Sequence, residues 1–128
     1  MTLRIGLPQW QHSHWERWGI ESLADYARYF HCVEGNTTLY ALPNPETVMR
    51  WRDMTHDAFR FCFKFPNTIS HQAALQHSDD LLTDFLRLME PLADRIGQYW
   101  LQLPASFSPT QLDDLWRFLD SLPRRFHY

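Results

Sequence analysis

The stretch "FRFCFKFP", residues 59–66, puts a phenylalanine at every second position: Phe59, Phe61, Phe63 and Phe65. Side chains of a strand alternate between its two faces, so the four rings share one side and Arg60, Cys62 and Lys64 share the other. A helix would scatter the same residues around its circumference. Pro66 lacks the N–H a ladder needs and marks the end of the run. The stretch reads as a strand with one apolar face for helices and a second face that turns polar toward its carboxyl end.

The same pattern extends in both directions. Downstream, "GQYWLQLP" (97–104) sorts into Tyr99, Leu101 and Leu103 on one face and Gln98, Trp100 and Gln102 on the other. Upstream, "CVEGN" (32–36) sets Cys32, Glu34 and Asn36 opposite Val33, and a short apolar run at 3–7 ends at Pro8. Helices fall between these strands. Residues 22–30 carry Leu23, Tyr26, Ala27 and Phe30 at helical spacing behind an N-capping Ser22. Asn44 caps the next helix and Pro45 takes its first position. "SDDLLTDFLRLM" begins an amphipathic helix near Ser78, and Ser108 with Pro109 begins another. "FHY" at the end reads as the opening of a fifth strand.

Strand–helix alternation with short connections predicts parallel strands and right-handed crossovers in a single domain spanning 1–128. Two architectures fit the α/β order: a doubly wound open sheet, or the first four βα units of a (β/α)8 barrel. The chain has 128 residues, 45% hydrophobic and 21% charged, an ordinary globular composition. Aromatics reach 16%, with six Trp, enough for a core and for some rings at a cleft.

Net charge is −3, so no broad basic field is available for a nucleic-acid backbone, and no nucleic-acid partner is expected. No run of eighteen apolar residues occurs, so no membrane partner is expected either. Cys32 and Cys62 sit in strand runs and read as small buried hydrophobes. With no leader pattern at the start, the expected location is the cytoplasm.

Laid side by side, the second faces of the strands bring Glu34, Asn36, Arg60, Lys64 and Gln102 into one environment. Charges there must pair or face water, and Glu34 with Lys64 or Arg60 is the evident compensation. One reading is a structural ion pair plugging the sheet; the other is a ligand site at the carboxyl ends of the strands, where this architecture places its sites. Gln9 and Trp10, directly after the first strand, stand at the same end. A Trp there stacks on a ligand face or packs under its loop. Lys64 and His71, in "KFPNTISH", suit a charge stabiliser and a proton carrier, or a salt-bridged Lys and a surface His. Gln102 suits hydrogen bonding to a hydroxyl or to the loop backbone.

"HSH" at 12–14 lacks a third converging ligand and reads as an exposed loop, so no metal site is expected and no cofactor is specified. Gly-rich phosphate loops and the G-x-S-x-G elbow are absent from the sequence.

"IGLPQW", "CVEGNTTLYALPNPETVMRW", "FRFCFKFPNTISH" and "GQYWLQLPASFSP" together resemble the YecE-like family, domain of unknown function 72, over essentially the whole chain. "GLPQW", where other members have "GTSGW", looks closest to its enterobacterial branch. The resemblance implies a TIM-barrel-like fold and brings no established activity. It also implies a chain about twice as long, so that these residues correspond to the N-terminal half and stop where a fifth strand and an E-x-R motif would follow. The family's polar strand-end positions match Glu34, Asn36, Tyr40, Lys64, His71 and Gln102.

The expected function is binding of a small polar or anionic metabolite at the strand ends. Glu34 would be acid/base or ion-pair partner, Lys64 charge stabiliser and His71 proton shuttle. By fold analogy the reaction would be hydrolysis or isomerisation of a sugar-like or phosphorylated compound. The alternative is a non-catalytic interaction module, since half a barrel leaves two open strand edges and pairs with a second copy or a separate second half.

Overall fold

The computed structural model describes residues 2–128. Four parallel strands lie in sequential order: β1 (Gly6–Leu7), β2 (Cys32–Gly35), β3 (Arg60–Lys64) and β4 (Ile96–Trp100). Helix α1 (Leu23–Tyr29) links β1 to β2. The short α2 (Thr37–Tyr40) and α3 (Pro45–Asp53) link β2 to β3. Helix α4 (Asp79–Met89) links β3 to β4, and α5 (Leu112–Ser121) follows β4.

The phenylalanine ladder of β3 organises the core. Phe59, Phe61, Phe63 and Phe65 are all fully buried. They share one cluster with Val33, with Tyr99 and with the inward residues of the helices: Tyr26, Val48, Phe85, Met89 and Phe118. The rings of Phe61 and Phe63 stack at 5.2 Å, and Trp51 stacks on Phe63 at 5.5 Å. Each such ring removes a large apolar area from water and adds a modest ring–ring attraction.

The opposite face of the sheet carries only half-buried or exposed residues: Cys32, Glu34, Arg60, Cys62, Lys64, Gln98 and Trp100. The helix layer is therefore one-sided. This departs from a doubly wound sheet, in which helices cover both faces.

Local signals at the helix starts are satisfied largely as read. The Ser22 hydroxyl accepts from Asp25 N–H at 3.1 Å, and Asn44 Oδ1 accepts from Thr47 N–H at 2.8 Å ahead of Pro45. Ser108 N–H donates to Gln111 Oε1 at 3.0 Å. The turn after Pro109 is 3-10 before α5 begins. At α4, Ser78 holds the capping position without a capping bond.

Strand lengths differ from the sequence reading. Residues 3–5 lie outside β1, because β2 begins only at Cys32, the partner of Gly6. One further bond, His31 N–H to the Ile5 carbonyl, ends the pairing. Residues 101–104 lie outside β4. The last link on β3 is Phe65 N–H to the Trp100 carbonyl, and Pro66 has no N–H to continue it. A bulge at Gly97 shifts the register between Phe61–Ile96 and Cys62–Gln98.

The anticipated fifth strand is represented by a single link, Tyr99 N–H to the His127 carbonyl at 3.0 Å. Asn36 is not the end of a strand: its backbone is already helical and opens α2. Cys32 and Cys62 are half-buried rather than buried, because they sit on the uncovered face.

Below the sheet, the buried Arg95 ties the approach to β4 to the turn before β3. Its guanidinium donates to the carbonyls of Arg52 and Thr55, to Thr55 Oγ1 at 3.0 Å and to Asp57 Oδ1 at 3.0 Å. The fully exposed Asp57 side chain contributes little to this arrangement; the buried carbonyls matter more.

Two expectations follow from this packing. Arg95→Ala leaves buried acceptors without a donor, and should lower unfolding stability by roughly 1–3 kcal/mol per orphaned group, read as a lower urea midpoint. Burial pushes the thiols of Cys32 and Cys62 above the ordinary cysteine range. Alkylation needs the thiolate, so iodoacetamide labelling of the native protein should be slower than in urea and should rise at higher pH than for free cysteine. Equal rates in both conditions would contradict this placement.

Candidate functional site

The polar face gathers at the carboxyl ends of β2 and β3. Alternation turns Val33 and Gly35 toward the helices and Glu34 the other way. Gly35 pairs with Phe63 across the ladder, and a Cβ at this position would collide with the Phe63 ring. The absence of a side chain lets β2 close onto the phenylalanine ladder beside Glu34.

From the last residue of β3, Lys64 Nζ donates to Gln102 Oε1 at 2.7 Å and lies 3.7 Å from Glu34 Oε1. The Lys64 and Glu34 side chains are 15% and 29% exposed, so the ion pair is neither sealed nor fully solvated. Gln102 sits just beyond β4, where the chain is free of the ladder and its amide can turn toward Lys64. Thus the structure joins three of the anticipated residues, Glu34, Lys64 and Gln102, in one contiguous set.

Arg60 is not part of it. It lies at the other end of β3, where its guanidinium donates to the carbonyls of Asp57 and Phe59. Cys62 is the partner of Glu34 and both cations lie two positions from it, so the hydrogen bonds that turn Arg60 back to Asp57 and Phe59 leave Lys64 as the cation beside Glu34.

Beside this set is a cavity of 400 Å³ lined by Pro8, Gln9, Trp10, Gln11, Glu34, Gly35, Asn36 and Thr37. It brings together four anticipated residues: Gln9, Trp10, Glu34 and Asn36. Trp10 serves the core as well. Its ring meets Trp51 edge-on at 5.2 Å and Phe61 at 6.4 Å, so the loop after β1 is anchored by packing. Asn36 Nδ2 donates to the Pro8 carbonyl at 3.3 Å and draws the β1 and β2 loops together, while its Oδ1 is buried without a partner.

Tyr40 and His71 stand apart. Tyr40 is exposed at the end of α2 and does not line the cavity. His71 lies in the π-helical turn Thr68–Gln72, exposed, with its Nδ1 2.7 Å from Ser70 Oγ. No hydrogen bond or ion pair among the described residues links it to Glu34, Lys64 or Gln102.

His12 and His14, the "HSH" pair, are taken up locally: His12 Nδ1 accepts from His14 N–H at 3.1 Å and caps a 3-10 turn. Among the described residues no three His, Cys, Asp or Glu side chains converge as metal ligands.

Sequence reasoning missed Thr38. Fully buried, its hydroxyl lies 3.3 Å from the Gly35 carbonyl and donates to the Lys64 carbonyl at 2.7 Å, locking α2 across the ends of β2 and β3. The signal was the threonine three residues past the end of β2, where a hydroxyl can satisfy carbonyls the ladder leaves open. A second cavity, 490 Å³, lies between the β3–α4 loop and α5, lined by His77, Ser78, Asp114 and Arg117 among others, and contains none of the anticipated residues.

The family model described as "Protein of unknown function DUF72" matches residues 4–128. The UPF0759 protein YecE of Escherichia coli K12 is 71% identical over 124 residues, covering 97% of this chain and 46% of that protein; its counterpart in Escherichia coli O157:H7 matches equally. A crystal structure of a DUF72 family protein from Enterococcus faecalis V583 superimposes with a TM-score of 0.77 at 26% identity, over 94% of this chain and 48% of that one. The chain thus spans about half the length of the relatives it matches. No described helix is long and apolar enough to cross a membrane. With four parallel strands matching half of a solved member, and a family model covering nearly every residue, the chain belongs to the family of proteins of unknown function DUF72.

Proposed function

We propose that this chain forms one wall of a cytoplasmic binding site for a small polar or anionic metabolite, at the carboxyl ends of the strands of a (β/α)8 barrel. The observation that carries the reading is the Glu34–Lys64–Gln102 set, partly exposed at the strand ends and adjoining the cavity that Trp10 lines. A structural ion pair alone would need neither the adjoining cavity nor the solvent access. The one-sided helix layer and the double length of the relatives support the barrel.

In this reading Glu34 is the proton-exchanging or ligand-orienting carboxylate, and Lys64 stabilises negative charge. Gln102 holds the ammonium in place, and Gln9 and Asn36 address the ligand from the loops. His71 remains a proton carrier outside the present hydrogen-bond set, and Tyr40 a rim residue. Turnover, if present, is hydrolysis or isomerisation of a sugar-like or phosphorylated compound.

The test is calorimetric binding of sugars, sugar phosphates and small organic acids to the protein and to Glu34→Gln. Removing the carboxylate charge should change affinity for a bound compound by about tenfold or more, which is about 1.4 kcal/mol. Unchanged affinity in the variant would overturn the assignment, and turnover of a bound compound would place it among enzymes.

A second reading, an interaction module, is favoured by exposed apolar side chains at the open edge and on the uncovered face. Leu3 is 78% exposed, Ile5 54% and Trp100 43%. Such surface pairs with a second copy or with a separate second half. Light-scattering mass of the 128-residue chain should then show a dimer; a well-folded monomer would count against self-pairing.

A further inference from the structure

Two acceptors at the cleft, Asn36 Oδ1 and the Glu34 carboxylate, are incompletely partnered, and this narrows what it takes. Asn36 occupies the capping position of α2, where an Asn oxygen ordinarily accepts a backbone N–H. Here the residue is helical, with φ −71° and ψ −16°, and makes no capping bond. Its Nδ2 donates instead to the Pro8 carbonyl at 3.3 Å. A carbonyl only accepts, so this bond decides which end of the amide is nitrogen.

Oδ1 is left buried, without a donor, in a residue that lines the cavity. Glu34 supplies the second acceptor. Its nearest cation, Lys64, is 3.7 Å away and gives its short bond to Gln102. An uncompensated acceptor destabilises the protein unless something brings it a proton donor.

We propose that the cleft between the β1 and β2 loops takes a small neutral polyhydroxylated compound, whose hydroxyls donate to Asn36 Oδ1 and to the Glu34 carboxylate. This deepens the binding reading above and rests on it. The torsion that turns an Asn amide is broad, so Oδ1 can rotate to meet a donor in the cavity, at the expense of the 3.3 Å bond from Nδ2 to the Pro8 carbonyl.

Competing ligand classes fit less well. An ammonium would place a second cation beside Lys64. A phosphate would set like charge against Glu34 and bring few protons to Asn36. Hydroxyls both donate and accept, which also suits the exposed amides of Gln9 and Gln11 on the lining. Trp10 lines the same cavity and offers apolar surface to a ligand's C–H groups, and 400 Å³ is room for a compound of this size.

The experiment is NMR titration of the 128-residue chain with xylitol, glucose and myo-inositol, and separately with inorganic phosphate and ethanolamine. At least one polyol should shift the Asn36 side-chain amide and the Trp10 indole signals saturably, while phosphate and ethanolamine should not. Asn36→Leu should weaken that binding about tenfold or more. Asn36→Asp, which keeps an acceptor but cannot donate to Pro8 when ionised, should retain most of it. Equal loss in both variants would mean that Asn36 only ties the loops together, and would overturn the proposal. Saturable shifts with phosphate or ethanolamine alone would overturn the polyol class while leaving a small-molecule site standing. Silence from every probe would overturn both.

Discussion

The structure depends on one alternation, that of β3. Four phenylalanines on one side of a five-residue strand and its flanks must be covered, and here a layer of helices supplies the apolar surface. Tyr26 of α1, Val48 of α3, Phe85 of α4 and Phe118 of α5 all converge on the same cluster. Once that face is committed to the core, Cys62 and Lys64 have no choice of side. The presence of Lys64 on the face that carries Glu34 is thus a consequence of burying Phe63 and Phe65.

Close approach between strands follows from the same commitment. Gly35 stands opposite Phe63 because a side chain there would occupy the ring's space. That leaves Glu34 flanked by a residue without a side chain, and the backbone turns directly into α2. Thr38 then bonds the ends of both strands. A polar set at the strand ends is therefore positioned by backbone geometry and packing. Within that set Lys64 stands 3.7 Å from Glu34 and 2.7 Å from Gln102, so the amide holds its shorter bond.

Much of the fold was legible because its signals are local. Period-two runs marked the strands, and Ser22, Asn44 and Pro45 marked helix starts by chemistry that acts within three or four residues. The errors were also physical. Strand ends depend on whether a neighbour is present to accept a bond, so residues 3–5 and 101–104 read as strand and are not. The short α2 was hidden behind β2, since four residues carry no period to detect. Arg95, the buried tie beneath the sheet, follows a 3-10 turn with no sequence pattern that marks a buried guanidinium.

For the site, sequence by itself determined which residues face away from the core: in a strand the parity of positions settles this, and burial of one face settles the other. It therefore determined that Glu34, Arg60 and Lys64 share the polar face, whereas Gln102 and Asn36, read as strand, lie past the ends of β4 and β2. Only the tertiary structure decided the partners. Register across the ladder set Cys62 opposite Glu34 with Arg60 and Lys64 equally far along the strand, and the folded turn before β3 took up Arg60 on the carbonyls of Asp57 and Phe59, leaving Lys64 against Glu34. The fold of the β1 loop put Gln9 and Trp10 beside Asn36, and the path of the β3–α4 loop left His71 outside that set. Side-chain parity is a property of the chain, whereas distances between strands and loops exist only after the chain has packed.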